Sequence, residues 1–145
     1  MLVAEVYGVF IARTEFSASP VVVLRTEDGR ILPIYIGYAE AASIYSALNR
    51  LTPPRPMTHD LLVDIISKLD ARVEKVIIDD LIDNTFYARI IVRKNDKEIE
   101  IDARPSDSIA IALRVLCPIY VDPRILDEAG RDEIPPNFRD FSEFA

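Results

Sequence analysis

Apolar residues recur along this chain with two periods. "MLVAEVYGVFIA" and "PVVVLRTEDGRILPIYIG" are rich in β-branched and aromatic residues and read as strands, the second stretch as a hairpin. Its Asp28-Gly29 pair is expected to supply the positive φ angles of a tight two-residue turn. Residues 38–50, "YAEAASIYSALNR", change to a helical pattern in which Ala39, Ala42 and Ala47 allow close packing. Pro53, Pro54 and Pro56 then forbid helix, because each removes a donor and biases its predecessor to extended backbone. A second helix is expected to start at Thr58 as its N-cap. Leu61, Leu62, Ile65, Ile66 and Leu69 fall on one face of it, which predicts a buried stripe. At about 100° per residue, His59 lies at the edge of that stripe and Asp60 nearly opposite.

"RVEKVIIDDLID", "TFYARIIVRK" and "KEIEIDAR" form a meander. A two-residue turn at Asn95-Asp96 pairs Val92 with Ile99 and Ile90 with Ile101 on one face. The same register sets Arg93 opposite Glu98 and Arg89 opposite Asp102 on the other. For the preceding connection a three-residue loop at Asp83, Asn84 and Thr85 is expected, aligning Ile82 with Phe86 and Ile78 with Ile90. "RPSDSIAIALRVL" gives a third helix, with Ser106 as the expected cap and Asp107 in its first turn. "CPIYV" returns as a short strand. The sum is an α+β fold: a mostly antiparallel twisted sheet, N-terminal hairpin plus three-strand meander, packed with about three helices. Residues 1–121 are expected to form this domain. Residues 122–145 read as an acidic appendage, with Phe138 and Phe141 on a short terminal helix that docks on the core or on a neighbouring subunit.

Composition narrows the picture. The length of 145 residues suits one domain, and half the residues are hydrophobic. No apolar run is long enough to span a bilayer, and the N-terminus lacks the pattern of a signal peptide, so no membrane role and a cytoplasmic location are expected. The lone Cys117 sits among apolar residues and reads as core. The absence of Gln and the excess of Pro, 10 against 4 Gly, suit a thermophile. A net charge of −7 argues against a broad nucleic-acid surface, since that binding relies on cationic contacts to phosphate.

The sequence holds no Gly-rich phosphate loop, nucleophile elbow, HExxH or CxxC. What stands out is a set of polar residues at element starts: Glu40, Arg55, Thr58, His59, Asp60, Arg104, Ser106 and Asp107. Each has a plain structural account. Glu40 and Asp107 complement helix dipoles, Thr58 and Ser106 cap, the arginines tie loops, and His59 packs at a helix boundary.

In order along the chain, "LPIYIGYAEAASI", "RPMTHDLL", "DNTFYARI", "ARPSDSIAIALR" and "PIYV" resemble the bifunctional nuclease domain family, in particular its small archaeal and bacterial members. Ser108 departs from the Ala common in the "PSD" segment. The resemblance implies an α+β domain, commonly self-associated as a dimer or higher homo-oligomer, in a family credited with cleaving DNA and RNA. It implies catalytic roles for Arg55 and Arg104 on phosphate and for His59 as acid or base. Glu40, Asp60 and Asp107 would hold Mg2+ or Mn2+, with Thr58 and Ser106 supporting the site. Tolerance of both sugars points to activated water rather than a 2′-hydroxyl. The alternative is a non-catalytic oligomeric module that binds a small anion, a nucleotide or a protein partner. Which holds turns on whether His59 meets "RPSD" in space.

Overall fold

The computed structural model describes residues 1–144. The elements run β1 (Leu2–Arg13), β2 (Ala18–Thr26), β3 (Ile31–Tyr35), α1 (Tyr38–Leu48), α2 (Thr58–Lys68), β4 (Arg72–Ile82), β5 (Thr85–Lys94), β6 (Lys97–Ala103), α3 (Pro105–Val115), β7 (Ile119–Val121), α4 (Pro123–Ala129) and β8 (Phe138–Asp140). The fold is α+β. One sheet has the order β3-β2-β1-β7-β4-β5-β6, with β8 also pairing β1. Two antiparallel halves, β1–β3 and β4–β6, meet at three-residue β7, antiparallel to β1 and parallel to β4. Among the described residues no helix is long and apolar enough to cross a membrane.

The β5–β6 register is the one the pattern predicts: Val92 faces Ile99, Ile90 faces Ile101, Arg93 faces Glu98 and Arg89 faces Asp102. The β4–β5 connection differs. It is a two-residue turn of Asp83 and Asn84, both at positive φ (50° and 64°), pairing Ile82 with Thr85. Asp and Asn tolerate that backbone better than other side chains, which lets the shorter turn form. With that shorter turn, the irregularity at Ile78/Asp80 brings Ile78 opposite Ala88 rather than Ile90, and a second irregularity follows at Val73/Lys75. The β2–β3 connection also departs from expectation. Only Gly29 has positive φ (87°), and bonds from Gly29 N to Thr26 O and from Thr26 N to Arg30 O close a three-residue loop.

The main core lies between the sheet and α1 and α3, through Ile44, Ile109, Leu24, Val76 and Ile78. It extends to Ile125 and Leu126 of α4 and to Phe141. Cys117 is half-buried at its margin, and burial pushes its thiol up to about 11. On the opposite face of the β1–β3 half, Ala12, Val21, Val23 and Ile31 form a smaller cluster against Ile134 and Phe138. With apolar neighbours on both faces, Val21 to Leu24 are all buried. Phe138 and Phe141 do not share a helix: Phe138 lies in β8 against β1, and Phe141 opens a 3-10 turn against Tyr45.

The expected burial of α2 is reversed. His59 is the one buried residue of this helix, 7% exposed, while Leu61 and Ile65 are 51% and 46% exposed. Leu62 and Leu69 are exposed as well. The apolar arc of α2 is wider than this chain covers. Val63 and Ile66 share the inward side with His59, and the leucines look outward.

Candidate functional site

Three helices meet around His59. In α1, Ser43 Oγ lies 2.6 Å from His59 Nδ1; in α3, Asp107 Oδ1 lies 2.8 Å from His59 Nε2. An ionised carboxylate only accepts, so Nε2 carries a hydrogen toward Asp107. In the neutral ring Nδ1 then accepts from the Ser43 hydroxyl. Asp107 is also gripped by Arg104, Nε to Oδ2 at 2.9 Å and Nη2 to Oδ1 at 3.2 Å. Burial alone would raise the Asp107 carboxyl, but the Arg104 and His59 hydrogen bonds outweigh it and hold the group below its ordinary value.

A second tie runs beside the first. Arg114 donates from Nε to Asp60 Oδ1 at 2.7 Å, from Nη1 to Ala110 O at 2.9 Å and from Nη2 to Ser43 O at 3.4 Å. One guanidinium thus links α2, α3 and α1. The Arg114 hydrogen bond is the main reason that the Asp60 carboxyl sits below its ordinary value.

The helix starts differ from expectation. The N-cap of α2 is Met57, and Asp60 Oδ2 accepts from Met57 N at 2.9 Å. The N-cap of α3 is Arg104, followed by Pro105 at the first helical position, where its missing N–H costs nothing. Thr58 and Ser106 therefore sit inside their helices and cap neither. Ser108, not Ser106, returns a hydroxyl to Arg104 O, at 3.0 Å.

Glu40 completes the cluster, its Oε2 3.7 Å from Arg104 Nη2. It folds back over Gly37, where a Cβ would lie 2.1 Å from Oε1; only glycine leaves room for that carboxylate. A cleft of about 620 Å3 opens here between the β2 and β3 ends, the start of α1, the β4–β5 turn and the start of α3. Arg104 lines it, and lines an adjoining cavity of about 380 Å3 as well. The first turns of α1 and α3 bring unpaired backbone N–H groups to this region, a setting that favours anions.

Of the residues singled out in the sequence, the structure gathers Glu40, His59, Arg104 and Asp107. Asp60 is turned away to Arg114. Arg55 is on the exposed loop before α2 and makes no ion pair among the described residues. The expected divalent-cation set of Glu40, Asp60 and Asp107 does not assemble: Arg104 occupies the place between Glu40 and Asp107, and no metal-holding group of three His, Cys, Asp or Glu occurs among the described residues. Ser43 and Arg114 were missed. A serine in a small-residue helix and an arginine in a helix's last turn carry no sequence signal beyond packing and dipole complementation.

Fold and site together define an α+β domain whose polar residues converge beside a cleft at two helix N-termini. The chain belongs to the bifunctional nuclease domain family, which matches residues 22–133. It is 50% identical over 112 residues to an uncharacterized protein of Mycobacterium tuberculosis, an alignment covering 77% of this chain and 66% of that one. It is 31% identical over 120 residues to bifunctional nuclease 1 of Oryza sativa subsp. indica, covering 79% of this chain and 36% of the rice protein. With bifunctional nuclease 1 of Arabidopsis thaliana the identity is 27% over 113 residues, 74% of this chain and 35% of that protein. The chain thus spans two thirds or less of these curated relatives.

Proposed function

We propose that this chain binds the phosphodiester backbone of nucleic acid at Arg104 and hydrolyses it with water, on DNA and RNA alike. The observation that carries this reading is the chain of hydrogen bonds Ser43–His59–Asp107–Arg104, which ends in a guanidinium at the cleft. Asp107 fixes the Arg104 fork, whose outward N–H groups meet two phosphate oxygens. His59 is buried and engaged at both nitrogens, so it acts as a positioning residue and does not touch substrate. Glu40, the carboxylate less committed to hydrogen bonds, takes a proton as water oxygen adds to phosphorus and returns it to the leaving ester oxygen as the P–O bond breaks. Arg55, on its exposed loop, lines neither cavity at Arg104 and has no role in this step. Since the carboxylates do not converge, no step is assigned to Mg2+ or Mn2+.

The test is cleavage of single- and double-stranded DNA and RNA by purified protein, in EDTA and with added Mg2+ or Mn2+. Activity is expected to drop at least a hundredfold in Arg104→Ala and in Glu40→Gln. Activity that survives alanine at Arg55, His59 and Arg104 together overturns the site.

A second reading, an oligomeric module without catalysis, draws on one observation: the outward apolar face of α2. Its occupant in this reading is a second copy of the chain. Asp64 and Lys68 flank the face and neutralise each other at 2.6 Å within one copy, so neither brings an unpaired charge to a second copy.

A further inference from the structure

The 620 Å3 cleft does not end at Tyr35. A second cavity of about 340 Å3 adjoins it, and the two share Tyr35, Asn84 and Phe86. The second cavity is bounded by Phe138 and Arg131. The result is a groove with a guanidinium at each end, Arg104 and Arg131, and aromatic rings between them. Tyr35 is 62% exposed and Tyr38, beside it in the larger cleft, 57% exposed. Both tyrosines line the larger cleft. Arg131 makes no ion pair among the described residues, so its charge is uncommitted.

We propose that this groove takes an unpaired, single-stranded segment of nucleic acid, with successive bases stacked on the exposed rings of Tyr35 and Tyr38 and backbone phosphates at Arg104 and Arg131. Aromatic faces interleaved with cations bind single strands because every unpaired base offers a π-face, whereas duplex stacking hides those faces. Each cavity is of a size suited to a nucleotide-sized group. Two guanidinium contacts give a shallow salt dependence, in keeping with a net charge of −7. This inference rests on the nuclease reading for the identity of the polymer, but binding and cleavage separate the two.

Binding is measured by fluorescence anisotropy in EDTA with a labelled ten-nucleotide oligothymidine and with a blunt duplex of the same length. The single strand is expected to bind at least tenfold more tightly than the duplex. Tyr35→Ala is expected to weaken single-strand binding about tenfold, with Tyr35→Phe restoring it. Arg131→Ala should lower the slope of log affinity against log salt by about one. Both positions are exposed, and thermal melts within 2 °C of the parent verify folding. Equal affinity for duplex, or parental binding in both Tyr35→Ala and Arg131→Ala, overturns the groove even where cleavage is retained. Selective binding with the expected variant effects, but no cleavage of any substrate, leaves the groove standing and removes the nuclease reading.

Discussion

His59 and Asp107, 48 positions apart in sequence, are joined at 2.8 Å between Nε2 and Oδ1. That bond fixes the start of α2 against the start of α3 and orients the carboxylate that holds Arg104. Replacing His59 by Ala removes a buried ring, leaves Ser43 Oγ without its ring partner and leaves Asp107 held by Arg104 alone. A loss of about 2–4 kcal/mol is expected in urea unfolding. Ser43→Ala, which removes only the Nδ1 partner, is expected to cost about 1–2 kcal/mol. In the proposed nuclease reading, cleavage should fall in both variants, read as a lower kcat/KM.

Arg114 is the stronger test of the helix trio. Its guanidinium serves three helices and is mostly covered, its side chain 11% exposed. Arg114→Met keeps the aliphatic stem but leaves Asp60 without its cation. A cost of about 2 kcal/mol follows, a drop of roughly 4–8 °C in thermal midpoint for a domain of this size. The double variant with Asp60→Asn should cost less than the sum of the two singles.

Acid should destabilise the protein over a defined window. Asp28 is held at about 2 from an ordinary 3.8, chiefly by the Arg30 hydrogen bond. Asp60 and Asp107 are also depressed from 3.8. A depressed carboxyl stabilises the fold above its unfolded value, and that contribution is lost as pH falls through the folded one. Stability should hold down to about pH 4 and decline toward pH 2. Urea midpoints between pH 6 and 2 check this, and Asp107→Asn should flatten the decline.

The outward face of α2 separates two accounts of its leucines. If Leu61 and Ile65 filled a core, polar replacement would cost about 2–5 kcal/mol. On the exposed face described above, Leu61→Ser with Ile65→Ser should cost under about 1 kcal/mol in the monomer. In the second functional reading the same pair converts a dimer to a monomer in analytical ultracentrifugation. A parent that is already monomeric at 100 µM sets that reading aside.

Leu116 sits at the C-cap of α3 with φ 60° and is 82% exposed. It meets the left-handed backbone penalty and buries little in return. Leu116→Gly is expected to stabilise by about 1 kcal/mol, read as a rise in thermal midpoint of roughly 2–4 °C.

Much of the architecture was legible because local rules agreed with one another. The Asn95-Asp96 turn fixed a register in which both faces of β5 and β6 were satisfied, and the structure has that register. Caps failed for a reason the sequence contained. Pro105 is most at home at the first helical position, which makes Arg104 the cap, yet a serine two residues on looked the better acceptor. The α2 face failed for a deeper reason. Periodicity reports which residues are apolar but not how much of that arc the rest of the chain can cover. His59 fell between these cases: its meeting with "RPSD" was the condition set by the sequence, and the meeting occurs. Ser43 and Arg114 became visible only with the helices packed, since their partners lie 16 and 54 positions away.

Strand β7 has only three residues, yet among the described residues it alone hydrogen-bonds both halves of the sheet. Each half is built from neighbouring hairpins with short loop closures, which form early and cheaply; β7 must wait for both templates and for α3 before it can insert. Its amides report on that last zippering step. In native-state hydrogen exchange, Tyr120 should exchange only through opening that parts the two halves, while the centres of the hairpins remain protected.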